Sequence, residues 1–150
     1  MGNKWKPQVG FQRKGQFFPF HYEIFESEAY RSLNCNARCL LFELRRHYFP
    51  GRNEEVFLSV RDAASRLNVN KDTVTRAFQA LDDRGFIVLT NHALWQQRIS
   101  RKWRLTWEPY RGREPTDDWR NYKNPEPKTG DSLSISKAQN AIQEAAKVDD

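Results

Sequence analysis

The sequence predicts a mainly α chain closed by a small β-ribbon, and three observations predict it. Two amphipathic helical patterns between Ser59 and Asp83 are separated only by Asn68-Val69-Asn70. Gly85 ends the second pattern, and two short β-favouring runs follow, Phe86-Ile87-Val88-Leu89 and Trp103-Arg104-Leu105-Thr106-Trp107. Helix-breaking residues then gather at Gly112, Pro115, Pro125, Pro127 and Gly130, where apolar residues thin out. The 150-residue chain therefore divides into a basic flexible arm over 1–16, a folded domain over 17–110, and an extended linker with a weak closing helix over 111–150.

Within the arm, Lys4, Lys6, Arg13 and Lys14 are interleaved with Trp5 and Phe11, and no acid precedes Glu23. Such a segment suits a polyanionic backbone or a minor groove, a disordered lead being the plainer alternative. Phe17 to Phe20 read as core residues, because arms of this kind are usually poor in phenylalanine. Tyr22 to Phe25 reads as strand or loop, and Glu28-Ala29-Tyr30 with Leu33 as a short helix. Ala37 to Tyr48 is the first long helix, with Leu40, Leu41, Leu44 and Tyr48 on its buried stripe.

Ala63, Ala64 and Leu67 share one face of the next helix, which begins after a Ser59 N-cap. Val74, Ala77, Phe78 and Leu81 fall at i, i+3, i+4 and i+7 of the following one, capped by Asn70. A three-residue connection makes the two helices cross steeply, and the alanines let their backbones approach. The second helix, over 71–84, then projects outward. Gly85 sits where its end requires positive φ.

The face that remains when the buried stripe is removed holds Lys71, Thr75, Arg76 and Gln79, with Asp72 and Thr73 at the helix start. A solvated surface would look the same. Yet cations neutralise phosphates, Thr and helix amides donate to phosphate oxygens, and Arg or Gln pairs bidentately with base edges. The two β-favouring runs pair as an antiparallel ribbon. Their connection, 91–102, carries Arg98, Arg101 and Lys102 and no acid, which suits a loop lying along DNA. Together these elements make a winged helix-turn-helix domain with an N-terminal basic arm and an extended C-terminal tail.

Leu58 to Thr90 resembles the winged helix-turn-helix of GntR-type bacterial repressors, on Ala64 at the crossing, Val69-Asn70-Lys71 at the turn, Thr73-Val74 opening the second helix and Arg84-Gly85-Phe86-Ile87 leading to the wing. The family usually has glycine where this chain has Asn68, and asparagine tolerates the left-handed backbone. The resemblance implies DNA-binding roles for Lys71, Thr73, Thr75 and Arg76. Over 17–109 the order of elements is also similar to the N-terminal domains of phage and plasmid replication proteins. Sequence-specific binding of double-stranded DNA is thus expected, by a bacterial or mobile-element transcriptional regulator. An origin-binding replication initiator and a winged helix used as a protein-interaction module are the alternatives.

Composition agrees. The net charge is +6 and the pI about 9.5. Residues 1–110 hold 18 Lys and Arg against 11 Asp and Glu, whereas 111–150 hold 7 against 8, so the positive field belongs to the domain. Arg76 and Gln79 are the expected base readers. Asn70, Lys71, Thr73, Thr75, Arg98, Arg101 and Lys102, with Arg13 and Lys14 of the arm, are the expected positioning contacts. Trp119 and Tyr122 are expected to dock back on the domain, and Ser134 to Val148 to form a helix on a partner.

No catalytic site is expected. The chain has no phosphate-binding Gly loop, nucleophile elbow or HExxH pattern. Cys35 and Cys39 lie four apart, but no second pair exists and His21, His47 and His92 are scattered, so reduced thiols rather than a metal site are expected. No cofactor or small-molecule effector is inferred, and a homodimer on a palindromic site is an attractive arrangement. With no uninterrupted apolar leader and no ~20-residue apolar run, a soluble, cytoplasmic, nucleoid-associated protein without a membrane partner is expected.

Overall fold

The computed structural model describes residues 15–91 and 101–125. The arm through Lys14, the centre of the expected wing with Arg98, and the expected closing helix lie outside the described residues. Five α-helices and a three-stranded antiparallel sheet form the described part.

Helices α1 (Tyr22–Glu26) and α2 (Glu28–Arg31) stand where strand or loop and then a short helix were expected. The difference lies at Ser27. Its hydroxyl donates to the Ile24 carbonyl at 2.6 Å and accepts from the Tyr30 amide at 3.1 Å, closing one helical turn and capping the next. Ile24 is the residue that α1 buries. Upstream, Phe20 packs among Phe25, Tyr30 and Phe42, whereas Phe17 is 89% exposed and outside the core expected for it.

Helix α3 (Cys35–Arg46) starts two residues earlier than its apolar stripe suggests, because the Asn34 side chain accepts from the Ala37 amide. It buries Ala37, Leu40, Leu41 and Leu44, and packs on α4 (Val60–Leu67) and α5 (Lys71–Asp83). Ser59 and Asn70 cap α4 and α5 by accepting from Asp62 and Thr73 amides at 3.0 and 2.8 Å. Between them Asn68 takes φ 54° and ψ 48°, the left-handed conformation, and the Val69 amide closes back on the Ala64 carbonyl.

Strands β2 (Ile87–Leu89) and β3 (Lys102–Leu105) form the expected ribbon, with Val88 opposite Arg104. A third strand, β1 (Val56–Phe57), pairs with the other edge of β3, so that the order is β1-β3-β2. A 3-10 turn at Asn53–Glu55 leads into β1. Its buried Asn53 accepts from the Leu105 amide at 2.8 Å and donates to the carbonyls of Leu105, Glu108 and Pro109 at 2.8, 3.1 and 3.1 Å. One side chain thereby ties the lead of β1 to the exit of β3.

Beyond the sheet the chain returns. A second 3-10 turn, Asp118–Asn121, buries Trp119, whose ring stacks on Phe86 at 6.3 Å between centroids. Gly85, with φ +76°, makes this possible: a Cβ there would meet Asp118 C at 2.8 Å. Arg84 donates to Ser32 Oγ at 2.6 Å and lies over the Tyr122 ring, joining α2, α5 and the returning segment.

Candidate nucleic-acid interface

The outward side of the α4–α5 pair follows from which side chains the core consumes. Val74, Ala77, Phe78 and Leu81 are buried, which leaves Lys71, Asp72, Thr75, Arg76 and Gln79 exposed along α5. At about 1.5 Å per residue, the 13 residues of α5 span about 20 Å, a length that fits a major groove.

The polar residues on this face fall into two groups. Some are already engaged. Asn70 Oδ1 accepts from both the amide and the hydroxyl of Thr73, each at 2.8 Å. Thr75 Oγ1 donates to the Lys71 carbonyl at 3.0 Å, and Gln79 Nε2 to Asp83 Oδ1 at 2.7 Å. Gln79 must therefore exchange an exposed intrahelical partner before it can meet a base edge. Asn70 and Thr73 serve first to begin the helix.

The second group is cationic. Among the described residues, five Lys and Arg side chains carry no ion pair or hydrogen bond: Arg52, Arg61, Lys71, Arg76 and Arg113. Three of the five stand on α4 and α5. The other cations, Arg66 of α4 among them, are largely committed. Arg31 pairs with Glu26, Arg45 with Glu108, Arg46 and Arg66 with Glu43, Arg104 with Asp118 and Arg120 with Glu23. Arg61 had escaped the sequence reading because it lies on the helix before the one whose polar face drew attention. Its signal was its place in the first turn of α4, two residues past the Ser59 cap.

At the root of the ribbon, Arg101 is exposed and Lys102 lies with its ammonium 3.9 Å from Glu55, a loose surface pair. Lys102 also donates its amide to Asn91 Oδ1 at 2.9 Å, across the two ends of the intervening loop. Arg98, Arg13 and Lys14 lie outside the described residues. The structure thus brings Lys71, Thr75 and Arg76 onto one helix face, with Arg101 and Lys102 at the neighbouring strand.

Titration behaviour sets other residues apart from this face. Burial raises the Glu108 carboxyl above its ordinary range, opposed by the adjoining Arg45 guanidinium. Burial lowers His47, helped by Arg66 and Arg46. Both groups belong to the end of α3 and its surroundings.

No family model, curated protein or solved structure matches this chain. The site is therefore read from its own chemistry. Cys35 and Cys39 are free and exposed, and among the described residues no three His, Cys, Asp or Glu side chains are grouped to hold a metal ion. No helix among the described residues is long and apolar enough to cross a membrane.

Proposed function

We propose that this chain binds double-stranded DNA sequence-specifically through a winged helix-turn-helix, as a transcriptional regulator of bacterial or mobile-element type. The observation that carries the reading is the concentration of unpaired cations, Arg61, Lys71 and Arg76, on the two helices joined by a three-residue turn. A helix face meant only for solvent gains nothing from leaving its cations unpaired while carboxylates are matched elsewhere. A phosphate backbone supplies the missing partner.

In this reading α5 enters the major groove, with Arg76 reading base edges and Lys71 and Arg61 holding flanking phosphates. The connection between β2 and β3 acts as the wing, with Arg98, Arg101 and Lys102 along the backbone. Gln79 joins the readout by exchanging Asp83 for an adenine edge.

Genome-wide immunoprecipitation and sequencing in the native host tests the assignment. Enrichment at a few inverted repeats over promoters is the expected result. Tandem repeats beside an A·T-rich origin would replace the regulator by an initiator, and absence of enrichment would move the helix pair to a protein-binding role.

A further inference from the structure

Cys35 and Cys39 are the only cysteines of the chain, and both stand exposed on α3. The core takes Ala37, Leu40, Leu41 and Leu44 from this helix, so the opposite side carries the two thiols one turn apart. At i, i+4 on a helix their Cβ atoms are about 5–6 Å from each other. A disulfide needs about 3.5–4.5 Å. Closing one would unwind the first turn of α3, which Asn34 holds: its Oδ1 accepts from the Ala37 amide at 2.9 Å and its carbonyl from the Arg38 amide at 3.1 Å. The spacing therefore disfavours a direct S–S bond and leaves room for one atom between the sulfurs.

The donors within reach decide what that atom is. Metal–sulfur bonds of about 2.3 Å on both sides span about 4.6 Å, which the two side chains reach by leaning together. The carboxylate one turn further on, Glu43, is held by Arg46 and Arg66 at 3.2 and 3.8 Å. Among the described residues, no third His, Cys, Asp or Glu joins the pair in a metal-binding group. Zinc, which takes four ligands, and hard cations, which take oxygen, are poorly served by two sulfurs. Thiolates select the soft ion Cu(I), for which two of them suffice. The lack of a second cysteine pair speaks against a closed zinc site and leaves this one open.

We propose that Cys35 and Cys39 together bind one Cu(I) ion as a two-coordinate dithiolate. The metal replaces both thiol protons, which pass to solvent, with no change of oxidation state, and the complex carries one net negative charge. Arg38, within one turn of both cysteines, donates to the neutral Arg31 carbonyl at 3.0 Å, and its positive charge offsets that of the complex. The site uses no residue of the α4–α5 face and is independent of the function proposed above.

The test titrates the full, reduced chain under anaerobic conditions with Cu(I) held by bicinchoninate, following loss of the coloured chelate, and records the copper X-ray absorption of the product. One ion per chain with two sulfur neighbours is expected, and excess Zn(II) should not displace it. Cys35→Ser and Cys39→Ser should each lower the affinity about 10²–10⁴-fold, because the second thiolate binds at the effective concentration that the helix sets. The double change Cys39→Ser/Arg46→Cys keeps two thiols on α3 but sets them about 16 Å apart along its axis, and it should bind as weakly as Cys39→Ser alone. All three positions are exposed, so the helices should be retained, which circular dichroism checks. Failure to withdraw Cu(I) from the chelator, a nitrogen or oxygen neighbour at the metal, displacement by zinc, or wild-type affinity in any of the three variants would overturn the proposal.

Discussion

Replacing Gly85 by alanine separates two structural demands that meet at one residue. The backbone there has φ +76°, which disfavours any side chain by about 1 kcal/mol. The new methyl would also lie 2.8 Å from Asp118 C, 2.9 Å from Asp118 O and 3.0 Å from Trp119 N. All three are backbone atoms, so no rotamer change relieves them and the Asp118–Asn121 turn must move. Trp119 rides on that turn, 4% exposed and stacked on Phe86. Complete loss of a buried tryptophan costs about 3–5 kcal/mol, so a partial shift costs about 2 and the total reaches about 3 kcal/mol. At about 3 °C per kcal/mol for a chain of this size, thermal unfolding should fall by about 10 °C.

Gly112→Ala is the control, since Gly112 has φ +70° and nothing within 4 Å of its added Cβ. It should show the conformational part alone, about 1 kcal/mol. Gly85→Ala and Trp119→Ala should be less than additive by about 2 kcal/mol, because the second removes the packing that the first disturbs. Equal losses in Gly85→Ala and Gly112→Ala, or strict additivity with Trp119→Ala, would refute the reasoning.

Other expectations follow from the same structure. Asn53→Ala should destabilise by about 3–5 kcal/mol in chemical denaturation, because it strands buried backbone groups of Leu105 and its neighbours; a loss below 1 kcal/mol would remove Asn53 as a tie. Arg76→Ala should reduce preference for the cognate site more than non-specific affinity, measured by competition gel shift, whereas Lys71→Ala should weaken both alike. His47 has a folded pKa below its ordinary 6.5, so its stabilising contribution is full above that value and is lost as pH falls through the lowered one. Thermal midpoints should therefore drop on acidification below about pH 6.5, and His47→Gln should flatten that limb; an unchanged acid limb would exclude His47 as its source.

Local chemistry was readable in the sequence wherever one residue decides it. Ser59 and Asn70 cap the helices they precede, Asn68 takes the left-handed turn, and Gly85 ends α5. Trp119 docks as its aromatic character suggested. What escaped depends on partners distant in the chain. Strand β1 has two residues and carries no period, and it exists because β3 offers an edge. Asn53 looks like any loop asparagine until residues 105–109 fold over it, and the second demand on Gly85 comes from residue 118. Helix α1 needed the double role of the Ser27 hydroxyl.

In the candidate site, Lys71 and Arg76 face outward as the stripe of buried residues implied, since periodicity alone determines that. The engagement of Gln79 by Asp83 was not apparent, although the i, i+4 spacing permits it. The contrast between unpaired and paired cations requires the tertiary structure.

The most direct measurement is fluorescence anisotropy of a labelled DNA duplex titrated with the chain across a range of salt concentrations. Any duplex serves, because the phosphate contribution is independent of sequence. The logarithm of the binding constant should fall linearly with log salt, with a slope made shallower by about two in Arg61→Ala/Lys71→Ala, which removes both flanking phosphate contacts. Salt-independent or absent binding, or a double variant that keeps the wild-type slope, would contradict the proposed DNA binding.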